Sequence, residues 1–404
     1  MLKPCLRSWK AEPPNMEIFS ARLSNLVIHK LDLAFTLGRV FGLMPVLIMS
    51  RVITETDPLA EQVSNYQIAL FLATLVLYGA PQVYLVKQGL EQRVFVYHLL
   101  ISSVIVLLVL SVLALMGCAT GVMLPFAFLV FFRSYYLLYA SYLKMAKGRQ
   151  SLYLVGIALV TLSFFAVTLN FFMATLACGV LTAGFTIYLG YAKLRYAVAA
   201  ARAYFRILRA NAGYFTTYLF QQTYTQIALA VYAFIESGTQ YLLATHMVYI
   251  YSLCFIFHGM LFRFYLSKMS RQKDISVLRT SLKQSLKYSM ILGIAATVTV
   301  ILGYKWIEYL LFAKSFLTMP TAVMLGMMIL LNAINGGWSP LFLALRRPYE
   351  LTLISSGSTL IVILGILALH KLEIENPLIY AMLLGLAFQA IFRSFLGLKL
   401  LKQH

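Results

Sequence analysis

"KLRYAVAAARAYFRILR", residues 193–209, divides the chain. It is basic and alanine-rich, and it holds no apolar run long enough to cross a bilayer. The chain around it has 404 residues, 61% of them hydrophobic and only 11% charged. On both sides apolar runs of about 18 residues or more recur, each able to span a hydrocarbon core about 30 Å thick. Six precede the stretch, near 31–53, 65–86, 95–116, 119–142, 151–170 and 172–192. Six follow it, near 213–235, 239–266, 287–310, 319–344, 350–370 and 376–398.

The expected fold is therefore an all-α polytopic membrane protein with twelve transmembrane helices. Residues 31–192 form one six-helix bundle and 213–398 the other, joined by the basic linker 193–212. Segment 1–30 precedes the first bundle and the tail 399–404 follows the second. Met16 is a second candidate start, and no secretory signal peptide is expected. Six spans in each half make the halves parallel repeats. A shift of about 180 residues lays Gly79 over Gly259, the arrangement in which transporters bind substrate between repeats.

The connectors alternate in charge. "KQGLEQR", "KMAKGRQ", "SKMSRQKDISVLRTSLKQSLK", "RRPYE", "LKLLKQH" and the linker are basic, whereas "TETDPLAEQ", "ESGTQ" and "HKLEIEN" are acidic. The positive-inside rule puts both termini and the basic connectors in the cytoplasm. The net charge of +20 then reports topology, and nucleic acid is not an expected partner.

Four arginines do not flank spans but lie within them: Arg39, Arg133, Arg263 and Arg393. Arg133, in "FLVFFRSYYLLYASYL", is about 21 Å deep at 1.5 Å per residue. A guanidinium at a helix centre costs about 2.5–3.5 kcal/mol to insert, so it needs a partner, a route to water or a task. Bonding to neighbouring carbonyls and snorkelling to the interface are the structural roles open to these residues. Of the 13 acidic residues none is expected deep in a span, Asp32 and Glu308 falling at span ends. Cations without balancing carboxylates suit an anion, most naturally phosphate. Polar stripes add to this. Thr217, Gln221 and Thr225 share a face of the seventh span, and Asn332, Asn335 and Ser339 one of the tenth. Interhelical hydrogen bonding accounts equally well for either stripe.

Several stretches resemble the multidrug/oligosaccharidyl-lipid/polysaccharide exporter superfamily, in its O-antigen (lipid-linked oligosaccharide) flippase branch. They are "LIMSRVITETDPLAEQVSNYQIALFLATLVLYGAPQVYLVKQG", "YLKMAKGRQSLYLV", "FIESGTQYLLATHMVYIYSL" and "PLFLALRRPYELTL". The resemblance implies two bundles around a central cavity open to one side at a time. It also implies a transporter, not an enzyme, in a bacterial cytoplasmic (inner) membrane and in O-antigen and lipopolysaccharide biosynthesis. Its cargo would be an undecaprenyl-diphosphate-linked oligosaccharide, flipped to the outer leaflet, with polysaccharide-assembly proteins such as the polymerase as partners.

On this reading the diphosphate contacts Arg39, Arg133, Arg263 and Arg393, and the two polar stripes face the glycan. No cofactor and no metal are expected. An ion-coupled multidrug exporter of the same superfamily is the first alternative, and it predicts a buried carboxylate. A membrane glycosyltransferase or O-antigen polymerase is the second, and it predicts a large external loop.

Overall fold

The computed structural model describes residues 43–77, a few positions between 101 and 112, and residues 205–403 apart from 208, 211, 271 and 273. Arg39, Arg133, Gly79, most of the first bundle and most of the linker lie outside the described residues. All the regular structure among the described residues is helical. α1 is Leu43–Val52 and α2 is Thr56–Leu77. α3 (Ala212–Ala233), α4 (Gly238–Ser270), α5 (Ile275–Phe312), α6 (Met319–Ala344), α7 (Pro348–Lys371) and α8 (Pro377–Gln403) follow. Five of these, α4 to α8, are long and apolar enough to cross a membrane. α3 falls short because "TTYLFQQTYTQ" fills its first half with amides and hydroxyls.

Within α3–α8 the tightest pairs are α5 with α6, α7 with α8, α3 with α7 and α6 with α8. Small residues permit that closeness, the usual device where lipid supplies no hydrophobic drive between helices. A Cβ on Gly293 of α5 would sit 2.5 Å from Ala333 Cβ of α6.

α5 begins about three turns before the apolar run that marks it in the sequence. Asp274 caps it, its side chain accepting the Ser276 amide at 2.8 Å. Bonds from the Ser276 amide and hydroxyl hold the Asp274 carboxyl below the usual carboxylate range. The added turns are amphipathic: Leu278, Ser281, Leu282 and Ser285 are buried, while Arg279, Lys283 and Lys287 face outward. At 38 residues and 1.5 Å each, α5 is about 57 Å long and extends well past a hydrocarbon core.

Acidic residues gather at one end of the described bundle, together with the cations Arg51, Lys314 and Lys371, and basic ones at the other, with Asp274 and Glu350. Glu55, Asp57, Glu236, Glu373 and Glu375 lie at one end, Arg279, Arg346, Arg347, Lys399 and Lys402 at the other. At the acidic end α1 and α2 pack onto the C-terminal helices. Val46, Met49, Leu59, Val63 and Tyr66 belong to the same buried cluster as Tyr232, Tyr241, Met247 and Phe312. Arg51 donates to the carbonyls of Leu310 and Leu311, at the end of α5 where unpaired carbonyls concentrate negative charge. Lys314 returns the contact, donating to Thr54 O at 2.7 Å. One layer deeper, Gln67 Nε2 donates to Tyr249 Oη at 2.6 Å with both side chains buried. The two chain regions are clasped at the acidic end.

Candidate functional site

Three of the sequence-derived polar residues come together. α8 carries Arg393 into a cleft between α6 and α7, where it is only 4% exposed. One terminal nitrogen, Nη1, donates to Ser339 Oγ at 2.7 Å and to Asn335 O at 3.2 Å. The other, Nη2, donates to Ser355 Oγ at 3.2 Å. Nε has no partner among the described residues, nor has the side-chain oxygen of Asn335.

α6 is built to supply these acceptors. Pro340 has no amide proton, so Gly336 O lacks its helical bond, and on either side of it side chains reach backbone oxygens. Ser339 Oγ donates to Asn335 O at 2.7 Å, and Ser285 Oγ of α5 donates to Gly337 O at 3.1 Å.

A ring of neutral polar groups surrounds the guanidinium. Gln389 Nε2 donates to Ser358 Oγ at 2.9 Å, and that hydroxyl donates to Gly385 O at 2.8 Å. Asn335 Nδ2 donates to Leu386 O at 3.2 Å. Tyr224 Oη donates to Met382 O at 3.0 Å, and Asn332 Nδ2 donates to Tyr251 Oη at 2.6 Å. Tyr224 and Tyr251 both lie within electrostatic reach of Arg393. No carboxylate pairs with Arg393 among the described residues. Among the described residues the cage is therefore a buried site with one cation, lined with hydroxyls and amides, and two of the five guanidinium donors, the Nε hydrogen and one on Nη2, are unspent.

The other sequence-derived residues are placed differently. Thr217 is buried, its hydroxyl within hydrogen-bonding distance of Gly213 O (2.6 Å), Pro348 O (2.8 Å) and Thr352 Oγ1 (2.6 Å), which joins α3 to α7. Thr225 is half-buried on α3. Gln221 lies on α3 and Arg263 on α4, but their side chains fall outside the described residues.

One expectation is overturned. Glu308, read in the sequence as a residue at the end of a span, is fully buried, and so is His246. Their side chains meet, Nδ1 to Oε1, at 2.9 Å. The second carboxylate oxygen accepts the amides of Phe316 (2.9 Å) and Leu317 (2.8 Å). The imidazole stacks on Phe312 at 3.8 Å between ring centroids. The connector after α5 folds back over Glu308, and hydropathy carries no trace of that closure. The sequence argument against an ion-coupled exporter rested on there being no buried carboxylate, and it fails here.

The sequence matches no family model and no curated protein at a significant level. Its fold does have solved counterparts. A multidrug resistance MATE family transporter of the MOP superfamily in its outward-facing conformation aligns with a TM-score of 0.65 at 14% identity, over 93% of this chain and 95% of the other. An inward-facing conformation of such a transporter gives 0.64 at 14%, over 95% and 98%. A MOP superfamily transporter from Pyrococcus furiosus, described as having a binding pocket of reverse polarity that suggests a different function, gives 0.64 at 15%, over 92% and 95%. At such identities the likeness is one of fold. The chain is a multi-pass membrane protein with the fold of the MATE transporters of the MOP superfamily.

Proposed function

We propose that this protein is a non-enzymatic exporter that works by alternating access between its two halves. The near end-to-end likeness to MATE transporters supports transport. The clasp at the acidic end supports a resting state closed toward the outside, given the cytoplasmic placement of the basic connectors.

Two cargo classes remain in view, each favoured by a different observation. The solved neighbours described as multidrug resistance transporters, together with the buried Glu308–His246 pair, favour ion-coupled export of a small amphiphile. The carboxylate-free Arg393 cage favours an anionic head group, such as the diphosphate of an undecaprenyl-linked oligosaccharide of O-antigen type. The reverse-polarity pocket reported for the Pyrococcus furiosus neighbour is precedent on this fold for a departure from drug export. The comparisons weigh at least as heavily toward the first class. The single observation that carries the second is a buried guanidinium whose Nε lacks an acceptor, which a phosphate oxygen would supply. For such a dianion an inside-negative potential favours outward movement by about 2.3 kcal/mol per charge per 100 mV.

Reconstitution into liposomes separates the two. Under an imposed potential, transfer of a fluorescent lipid-diphosphate oligosaccharide between leaflets that is lost in Arg393→Met supports the anionic cargo. Efflux of a cationic dye driven by a proton or sodium gradient, with no lipid transfer, replaces it with the drug-export reading. Transport of neither cargo under any gradient rejects the proposal.

A further inference from the structure

The buried pair of His246 and Glu308 lies where the clasp is anchored. Glu308 ends its α5 face one turn before Phe312, and the amides it accepts belong to Phe316 and Leu317 of the α5–α6 connector. That connector also carries Lys314, whose ammonium bonds to Thr54 O across the clasp. Phe312 stacks on His246 and meets Tyr249 edge-on at 6.5 Å, and Tyr249 is the acceptor of Gln67 from α2. A change in this pair is therefore passed to two contacts that hold the acidic end shut, through the connector to Lys314–Thr54 and through Phe312 and Tyr249 to Gln67.

The hydrogen-bond arithmetic leaves one vacancy. A carboxylate oxygen that takes two amide protons is an acceptor only, and its partner oxygen takes the Nδ1 proton. The Nδ1–Oε1 contact holds one proton: with it on Nδ1 and none on Nε2 the pair has a single proton, and with a second proton the pair is full. In both forms Nε2 is buried and without a partner among the described residues. In its single-proton form the pair holds a negative charge away from water, a costly arrangement. Other charged groups near this end offset it only in part. Lys314 acts on the imidazole through space, while Arg51 of α1, Lys305 of α5, and Glu55, Asp57 and Glu61 from the α1–α2 region are all exposed to solvent.

We propose that His246 and Glu308 form a proton-binding site that locks the outer clasp. In the single-proton form the Nε2 lone pair takes a proton from a hydronium ion, which leaves as water. An N–H bond forms, and the pair passes from one net negative charge to an imidazolium–carboxylate with none. The protonated pair is cheaper to bury, so proton binding favours the clasped arrangement and proton loss favours the hydrated, open one. This rests on the alternating-access reading, yet it is tested without any cargo.

The experiment places spin labels at Glu55→Cys and Ser315→Cys, both exposed and on opposite sides of the clasp, in the full chain with the four native cysteines replaced. Distance distributions are recorded in lipid between about pH 5 and pH 9. The ratio of short to long distances should rise as pH falls, by up to about tenfold per pH unit, the limit for one proton. His246→Asn retains an N–H for Glu308 but has no titrating nitrogen, and it should give a ratio independent of pH. Glu308→Gln should flatten the response as well and serves if His246→Asn does not fold. A pH-independent ratio in the unsubstituted pair, or an unchanged titration in either variant, overturns the proposal. A normal titration in a protein that moves neither cargo class leaves this site standing and removes only the cargo assignment.

Discussion

Arg393→Met should separate stability from transport. Methionine approximates the length and girth of the arginine stem and carries no charge, so the exchange removes the cation and leaves little void. The terms removed are three hydrogen bonds, two of them long at 3.2 Å, and such charged bonds are worth about 1.5–3 kcal/mol each at best. Ser339 Oγ keeps its bond to Asn335 O, and only Ser355 Oγ, buried and bonded to Arg393 alone among the described residues, loses its partner, a cost of about 1–3 kcal/mol. Against this stands the cost of holding an unpaired guanidinium 4% exposed, several kcal/mol even after relaxation. Replacing buried ionic groups by well-packed apolar ones is often neutral or stabilising by about 1–4 kcal/mol. The Met variant should therefore unfold at or above the temperature of the unsubstituted protein, while transport of an anionic cargo is lost. Arg393→Ala should be less stable than the Met variant by about 2–3 kcal/mol, the cost of the cavity. Thermal unfolding in detergent and the liposome assay read the two effects separately. A Met variant that unfolds several degrees lower and still transports would refute the reasoning, because Arg393 would then be a structural strut.

Two further outcomes concern stability. Glu308→Ala leaves the His246 Nδ1 proton and two connector amides unpaired, and should cost about 3–5 kcal/mol, of which Glu308→Gln recovers more than half. Glycine exchanges should differ in sign by position: Gly385→Ala puts a Cβ 2.5 Å from Tyr224 Oη and 2.6 Å from Val362 Cγ2, and should lower the unfolding temperature by the equivalent of about 1–3 kcal/mol. Gly303→Ala meets nothing nearer than Ile307 at 3.5 Å and should raise it, alanine being favoured over glycine in a helix by about 1 kcal/mol.

The C-terminal helices were legible because a span announces itself by its apolar length. α6 runs from 319 to 344, as hydropathy places it. The start of α5 was not legible for the same reason: "SVLRTSLKQSLK" alternates polar and apolar residues around the helix and has no apolar run to find. Within the site, Asn335, Ser339 and Arg393 stood out as polar residues in apolar spans, but their convergence depends on how three helices pack. Ser355 and Ser358, one turn apart in "SSGST", carried the matching signal on α7 and were missed because hydroxyls are inexpensive to bury and common in spans. Glu308 misled more seriously. Depth along a span measures distance from a helix end, and burial depends on what folds over that end. Backbone amides of a six-residue connector take up one oxygen of this carboxylate, and an amide has no signature in a sequence.

α4 ties the two polar clusters into one mechanical problem. His246 lies on it facing Glu308, Tyr249 faces Gln67 of α2, and Tyr251 accepts from Asn332 beside the Arg393 cage. From His246 to Tyr251 the helix rises only about 7.5 Å. A rigid helix cannot release one of these contacts by turning or sliding without loading the others, since packed interfaces shift between discrete arrangements instead of deforming smoothly. On the proposed function, charge entering the cage and a proton leaving the clasp would therefore bias the same element. That is a physical basis for coupling, because both sites act on one body with alternative seatings.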